Sequence, residues 1–144
     1  MKLSAILATK GSKVVTISPH ETVRSLLAAL TDNKVGALVV SVDGRSISGI
    51  VSERDVVRAF TENDNASNLP VSAIMTSEVF VAPPDAHVDE LMEIMTARRV
   101  RHIPVTNDSG QLEGIVSIGD IVKSRLGELE SEKEALLGYI THGG

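Results

Sequence analysis

The run Gly49-Ile50-Val51-Ser52-Glu53-Arg54-Asp55 returns 65 residues later as Gly114-Ile115-Val116-Ser117-Ile118-Gly119-Asp120. Sliding residues 14–60 onto 79–125 needs no gap and makes 14 of 47 positions identical, among them Pro19/Pro84, Val23/Val88, Ser52/Ser117 and Asp55/Asp120. Ordinary composition would give roughly three by chance. Two copies are too few for a solenoid, which needs about three repeats or more. One copy is also too small to stand alone, because a piece of about 60 residues buries only about 60% of its unfolded surface. The duplication therefore predicts two similar halves, related by a pseudo-twofold axis and sharing a core.

Within each half the pattern alternates between strand and helix. Leu3, Ile6 and Leu7 have helical spacing, and Lys10-Gly11-Ser12-Lys13 reads as a flexible turn. Residues 14–17 predict a strand. Ser18 then reads as a helix cap, with Pro19 in the first turn and Glu21 completing a capping box. Val23, Leu26, Leu27 and Leu30 form one apolar stripe. Strands are expected over 35–42 and 47–51 around an Asp43-Gly44 turn, followed by a helix from Glu53 to Phe60. After a polar connector at 61–69 the order repeats. Residues 79–81 predict a strand, and Pro83-Pro84-Asp85 a helix start. Val88, Leu91, Met92 and Met95 give the matching stripe, with strands at 100–106 and 112–116 and a helix from Ile118. The expected division is 1–68 for the first repeat with its N-terminal segment, 69–126 for the second, and 127–144 for a helical tail. Leu126, Leu129, Leu136, Leu137 and Ile140 make the tail amphipathic, suited either to capping its own core or to meeting a second subunit.

Composition narrows the function. A net charge of −5 disfavours general nucleic-acid binding, which needs a basic face. No cysteine is present, which removes disulfides and thiol chemistry and suits a reducing compartment. Four scattered histidines give no zinc spacing, and no Walker loop surrounds Gly11. No secretory leader pattern or membrane-length apolar run is evident. The expectation is a cytoplasmic, non-membrane protein with no catalytic cofactor. It has no nucleophile–base pair of the kind an enzyme requires.

Each half resembles a CBS domain, and the whole resembles the tandem pair called a Bateman module. The resemblance covers nearly all of residues 3–126. It rests on Val71-Ser72-Ala73-Ile74-Met75-Thr76, on Val100-Arg101-His102-Ile103-Pro104-Val105, and on the two Gly-Ile-Val-Ser-x-x-Asp runs. The pairing of Ser-Glu-Arg-Asp with Ser-Ile-Gly-Asp, and the ending Tyr139-Ile140-Thr141-His142-Gly143, are similar to stand-alone bacterial CBS-pair proteins. The resemblance implies an α+β fold of two βαββα repeats packed sheet to sheet. It also implies adenosyl ligands (AMP, ADP, ATP or NAD) in two clefts between the repeats. One cleft would combine Ile115, Ser117 and Asp120 with Thr16, Val35, Gly36 and Ala37. The other would combine Ser52, Arg54 and Asp55 with Val79, Val81, Arg101 and His102. A homodimer formed through helices and a downstream protein partner are implied as well.

Elementary chemistry fits that role. A carboxylate accepts from two vicinal hydroxyls at once, and a helix N-terminus beside it favours phosphate. Ser and Asp also serve simply as a helix cap in such boxes. The chain has only Phe60, Phe80 and Tyr139 as aromatics, so adenine is expected to lie on aliphatic faces. Arg54 stands opposite Gly119, and Arg101-His102 opposite Gly36-Ala37. The clefts should therefore differ, with the Asp55 side favouring the more charged phosphate end. Lys10 and Lys13 are solvated lysines unless they reach a phosphate. The competing reading is a ligand-free scaffold with vestigial clefts.

Overall fold

The computed structural model describes residues 1–11 and 13–142; part of the expected turn at Lys10 to Lys13 (Ser12), and Gly143, lie outside them. A helix α1 (Leu3–Lys10) precedes the first repeat, which runs β1 (Thr16–Ile17), α2 (Val23–Asn33), β2 (Ala37–Val40), β3 (Gly49–Ser52) and α3 (Glu53–Glu62). Two single turns of 3-10 helix, Ala66–Asn68 and Val71–Ala73, lead to α4 (Val88–Arg98), β4 (His102–Thr106), β5 (Leu112–Ser117) and α5 (Ile118–His142). β1 pairs parallel with β2, and β2 antiparallel with β3. β4 and β5 form the matching antiparallel pair. The class is α+β, with two similar repeats.

The halves do not share one core. Each has its own, closed by a segment that precedes the other repeat. Leu3, Ile6 and Leu7 of α1 pack with Val88, Leu91, Met95, Ile103, Val116 and Ile121 of the second repeat. Val71, at the start of the second repeat, packs with Val23, Leu26, Leu38 and Val51 of the first. By sequence position α1 belongs with residues 1–68, yet it is built into the other half. Two glycines of the duplicated run make the exchange possible. A Cβ on Gly114 would stand 2.6 Å from Leu7 Cδ2, and one on Gly49 only 2.7 Å from the Thr76 carbonyl oxygen.

The exchanged segments also move both helix starts. Val71 N–H donates to Glu21 O (2.8 Å), Ser72 N–H to Pro19 O (3.0 Å) and Val23 N–H to Leu69 O (2.9 Å). Residues 19–22 are thus tied to 69–72, and α2 begins only at Val23, with Thr22 Oγ1 accepting from Ser25 N–H (3.1 Å). Ser18, expected as the cap, instead accepts from His20 N–H in a turn. The second repeat repeats the correction. Leu3 N–H donates to Ala86 O and Ser4 N–H to Pro84 O, so α4 starts at Val88 rather than in Pro83-Pro84-Asp85.

The strand expected over 79–81 does not form; one parallel bridge joins Ala82 to Val105. Ala82 N–H donates to Pro104 O (3.1 Å) and Thr106 N–H to Ala82 O (3.0 Å). The next rung, made in the first repeat by Thr16 and Val39, requires an N–H from residue 104. Proline has none.

The Asp43-Gly44 turn is a longer loop. Asp43 Oδ1 accepts from Ser46 N–H (2.7 Å) and Arg45 N–H (2.8 Å). Those bonds hold the carboxyl well below the usual carboxylate range. The tail is continuous with α5 and does not cap its own core, since Leu126, Leu136 and Ile140 are 60%, 64% and 70% exposed. No helix among the described residues is long and apolar enough to cross a membrane.

Gly49→Ala drives a methyl group into backbone. It is expected to lower unfolding free energy by about 1–3 kcal/mol, read as a reduced urea midpoint at unchanged slope.

Candidate functional site

β3 ends at Ser52, and α3 begins at the next residue, so the duplicated run places a hydroxyl, a carboxylate and a helix N-terminus at one corner. Asp55 Oδ2 accepts from Ser52 N–H (2.8 Å) and from the Ser52 hydroxyl (3.1 Å). Arg58 Nη1 lies 3.4 Å from Oδ1, a loose pair because the guanidinium is largely solvated. Asp55 is 8% exposed, and Oδ1 retains acceptor capacity.

This corner opens on a cleft of about 270 Å³ between the repeats, near the lower end of the size range for small-molecule sites. Arg54 and Arg58 from the first repeat and Arg99 and Arg101 from the second line it. Between them lie Ala37, Ile50, Val79, Phe80 and Val100. Glu53 and Glu78 also reach the wall. The cleft therefore offers one carboxylate corner, apolar faces and four guanidiniums, a combination suited to a sugar, a flat base and phosphate.

Of the residues assigned to this cleft from sequence, Ser52, Arg54, Asp55, Val79, Arg101 and His102 line it, and Val81 does not. Without a strand at 79–81, Val81 is left exposed. Gly36 and Ala37, expected beside Asp120, line the Asp55 cleft instead. The sheet register explains the correction. Ala37 pairs with Ser52, and Gly36 O accepts from Glu53 N–H (3.0 Å). A Cβ on Gly36 would lie 3.7 Å from His102 Cε1, so corresponding strands of the two repeats face each other here. Val35 lines a neighbouring depression on the flank of α2, with Leu27, Leu30, Thr31 and Lys34, that shares Gly36 and Glu53 with the cleft. Thr16 sits on β1 opposite Val39.

The second corner has the same cap and a different neighbour. Ser117 N–H donates to Asp120 Oδ2 (2.9 Å), and Asp120 N–H to Ser117 Oγ (3.1 Å). Lys10 Nζ, at the end of α1, donates to Asp120 Oδ2 (2.6 Å) and to the carbonyl of Ile115 (2.7 Å). Burial alone would raise the Asp120 carboxyl. The bonds from Lys10 and Ser117 outweigh it and hold the group below its usual value. Lys10 is thus ion-paired, with its side chain still 35% exposed.

Sequence reasoning missed Phe80, Arg58 and Arg99. Phe80 supplies an aromatic face at the cleft, and the Arg98 guanidinium lies 5.0 Å from its ring centroid. Its position between Val79 and Val81 was the available signal. Arg58 stands one turn after Asp55. Arg99 ends α4 in the left-handed region at φ 55°, as Lys34 ends α2 at φ 54°. Among the described residues no cluster of three or more His, Asp or Glu side chains is placed to hold a metal.

Residues 6–62 and 71–127 each match the CBS domain. The chain belongs to the CBS-domain family. It is 33% identical to the CBS domain-containing protein CBSX3, mitochondrial, of Arabidopsis thaliana over 98% of this chain and 72% of that one. A solved CBS-domain containing protein from Agrobacterium tumefaciens superposes with a TM-score of 0.83 at 39% identity, covering 87% of this chain and 99% of its own. A CBS domain protein from Pyrobaculum aerophilum, complexed with AMP, superposes with a TM-score of 0.75 at 27% identity, covering 83% and 89%.

His102 stands where the two CBS repeats meet. Burial pushes its imidazole below the usual 6.5, with Lys10 adding to the effect and Asp120 and Glu53 opposing it. The folded state therefore resists a proton that the unfolded chain accepts. That contribution to stability is present above about pH 6.5 and is lost as pH falls. His102→Gln should flatten the decline in urea midpoint between roughly pH 7 and pH 5 relative to wild type.

Proposed function

We propose that this chain is a non-catalytic regulatory module that binds one adenine nucleotide in the Asp55 cleft and signals by a change in the angle between its repeats. The observation that carries this reading is the cleft itself, where a carboxylate corner, apolar walls and four arginines converge from both halves. Asp55 takes the ribose hydroxyls through Oδ1. Phe80, Val79, Val100 and Ala37 hold the base, and Arg54, Arg58, Arg99 and Arg101 meet the phosphates. The AMP complex of the Pyrobaculum aerophilum relative supports an adenosyl ligand. Walls contributed by both repeats give the ligand leverage on their relative position, because a ligand shifts an equilibrium only by its differential affinity for the two states.

The wider proposal includes a homodimer and a downstream protein partner. The exposed leucines of α5 supply an apolar surface of the right kind for subunit contact. A cysteine-free chain suits the reducing cytoplasm.

Thermal shift against AMP, ADP, ATP, NAD, NADH and S-adenosylmethionine tests the ligand class. A nucleotide at about 100 times its Kd adds roughly 2.7 kcal/mol of stability. Asp55→Ala and Asp120→Ala each remove a helix cap, costing about 0.5–2 kcal/mol. Only Asp55→Ala should also abolish the ligand response. An unchanged response in Asp55→Ala contradicts the proposal.

A further inference from the structure

The two CBS repeats treat equivalent sheet edges differently. On the outer edge of β3, Ile50 exchanges two backbone hydrogen bonds with Thr76, each 2.9 Å. On the outer edge of β5, the carbonyl of the equivalent Ile115 accepts the ammonium of Lys10. The same ammonium reaches Asp120 Oδ2 at 2.6 Å. Among the described residues Asp55 has no such neighbour; the cation paired with it is Arg58 at 3.4 Å, on the other carboxylate oxygen.

The position of Lys10 is imposed by packing. Leu7 and Lys10 are three residues apart on one face of α1. Leu7 is buried in the second core, against the one position, Gly114, where no Cβ intervenes. The end of α1 is therefore held over the Ser117/Asp120 corner. There the lysine binds Oδ2, the oxygen that also caps the helix, and its ammonium occupies the space beside the carboxylate with the strength of a full charge. Being part of the same chain, it competes at an effective concentration in the millimolar range.

We propose that Lys10 is a built-in occupant of the Asp120 corner and limits each chain to a single nucleotide, bound in the Asp55 cleft. The inference rests on the nucleotide reading of that cleft. It makes Lys10 the residue that sets stoichiometry in a duplicated fold whose two corners carry the same Ser/Asp cap. The opposite role, in which Lys10 turns to meet a phosphate at the second corner, leads to a different outcome.

Isothermal titration of the full chain with AMP separates these cases. Wild type should bind one AMP per chain and Lys10→Met two, while Lys10→Arg, which keeps a cation in place, should bind one. Lys10→Met combined with Asp120→Ala should return the count to one. Two AMP per wild-type chain, or one per Lys10→Met chain, overturns the inference and leaves the Asp55 reading standing. Weaker binding by Lys10→Met overturns it in favour of a phosphate contact. No AMP bound by any of these proteins overturns this inference, and no thermal response to any nucleotide of the panel brings down the nucleotide reading with it.

Discussion

The exchange of apolar segments between the two repeats is the contact on which the rest of the structure depends. Leu3, Ile6 and Leu7 complete the second core, and Val71 completes the first. Neither half can close its interior without residues that lie on the far side of a repeat boundary. That interlock fixes the two sheets relative to each other, and so sets the width of the space between them. It also delivers two functional groups as a consequence of packing. Thr76, just after the exchanged 3-10 turn, seals the β3 edge beside the Asp55 cleft. Lys10, at the end of the exchanged helix, lands on Asp120.

Duplication builds two equivalent corners, and a few substitutions make them unequal. Gly36 and Ala37 correspond to Arg101 and His102 across the pseudo-twofold. Because the corresponding strands meet there, small residues on one side leave room for larger ones on the other, the cationic Arg101 among them. Pro104 in place of Val39 costs the second sheet its third strand, and Phe80 in the freed segment lines the cleft. Strong charge therefore collects on one side of a chain whose net charge is acidic. On the proposed reading, a fold with two potential sites becomes a fold with one open one.

Much of this was legible in the sequence because it is local or periodic. The repeat, the helical stripes and the Ser/Asp corner at each helix start depend on spacing and residue type alone, and the expected concentration of cations near Asp55 followed from the resemblance to CBS pairs. What was misread depends on contacts distant in sequence. The Ser18 box is locally a good cap, yet pairing with residues 69–72 outcompetes it. The 79–81 strand fails because of a proline more than twenty residues away, visible in the sequence but not connected to that segment until the register is known. Gly36 and Ala37 were placed at the wrong corner for the same reason, since assigning them requires knowing which strand of the other half they face. The ion pair between Lys10 and Asp120 spans 110 residues, and no local pattern announces it.

A structure of the full chain crystallised with AMP tests the central claim most directly. The account predicts one nucleotide between the repeats. Its ribose should lie on Asp55 and its phosphate among Arg54, Arg58, Arg99 and Arg101, with Lys10 still on Asp120. A nucleotide at the Asp120 corner with Lys10 displaced, or a phosphate directed away from the arginines, would contradict it.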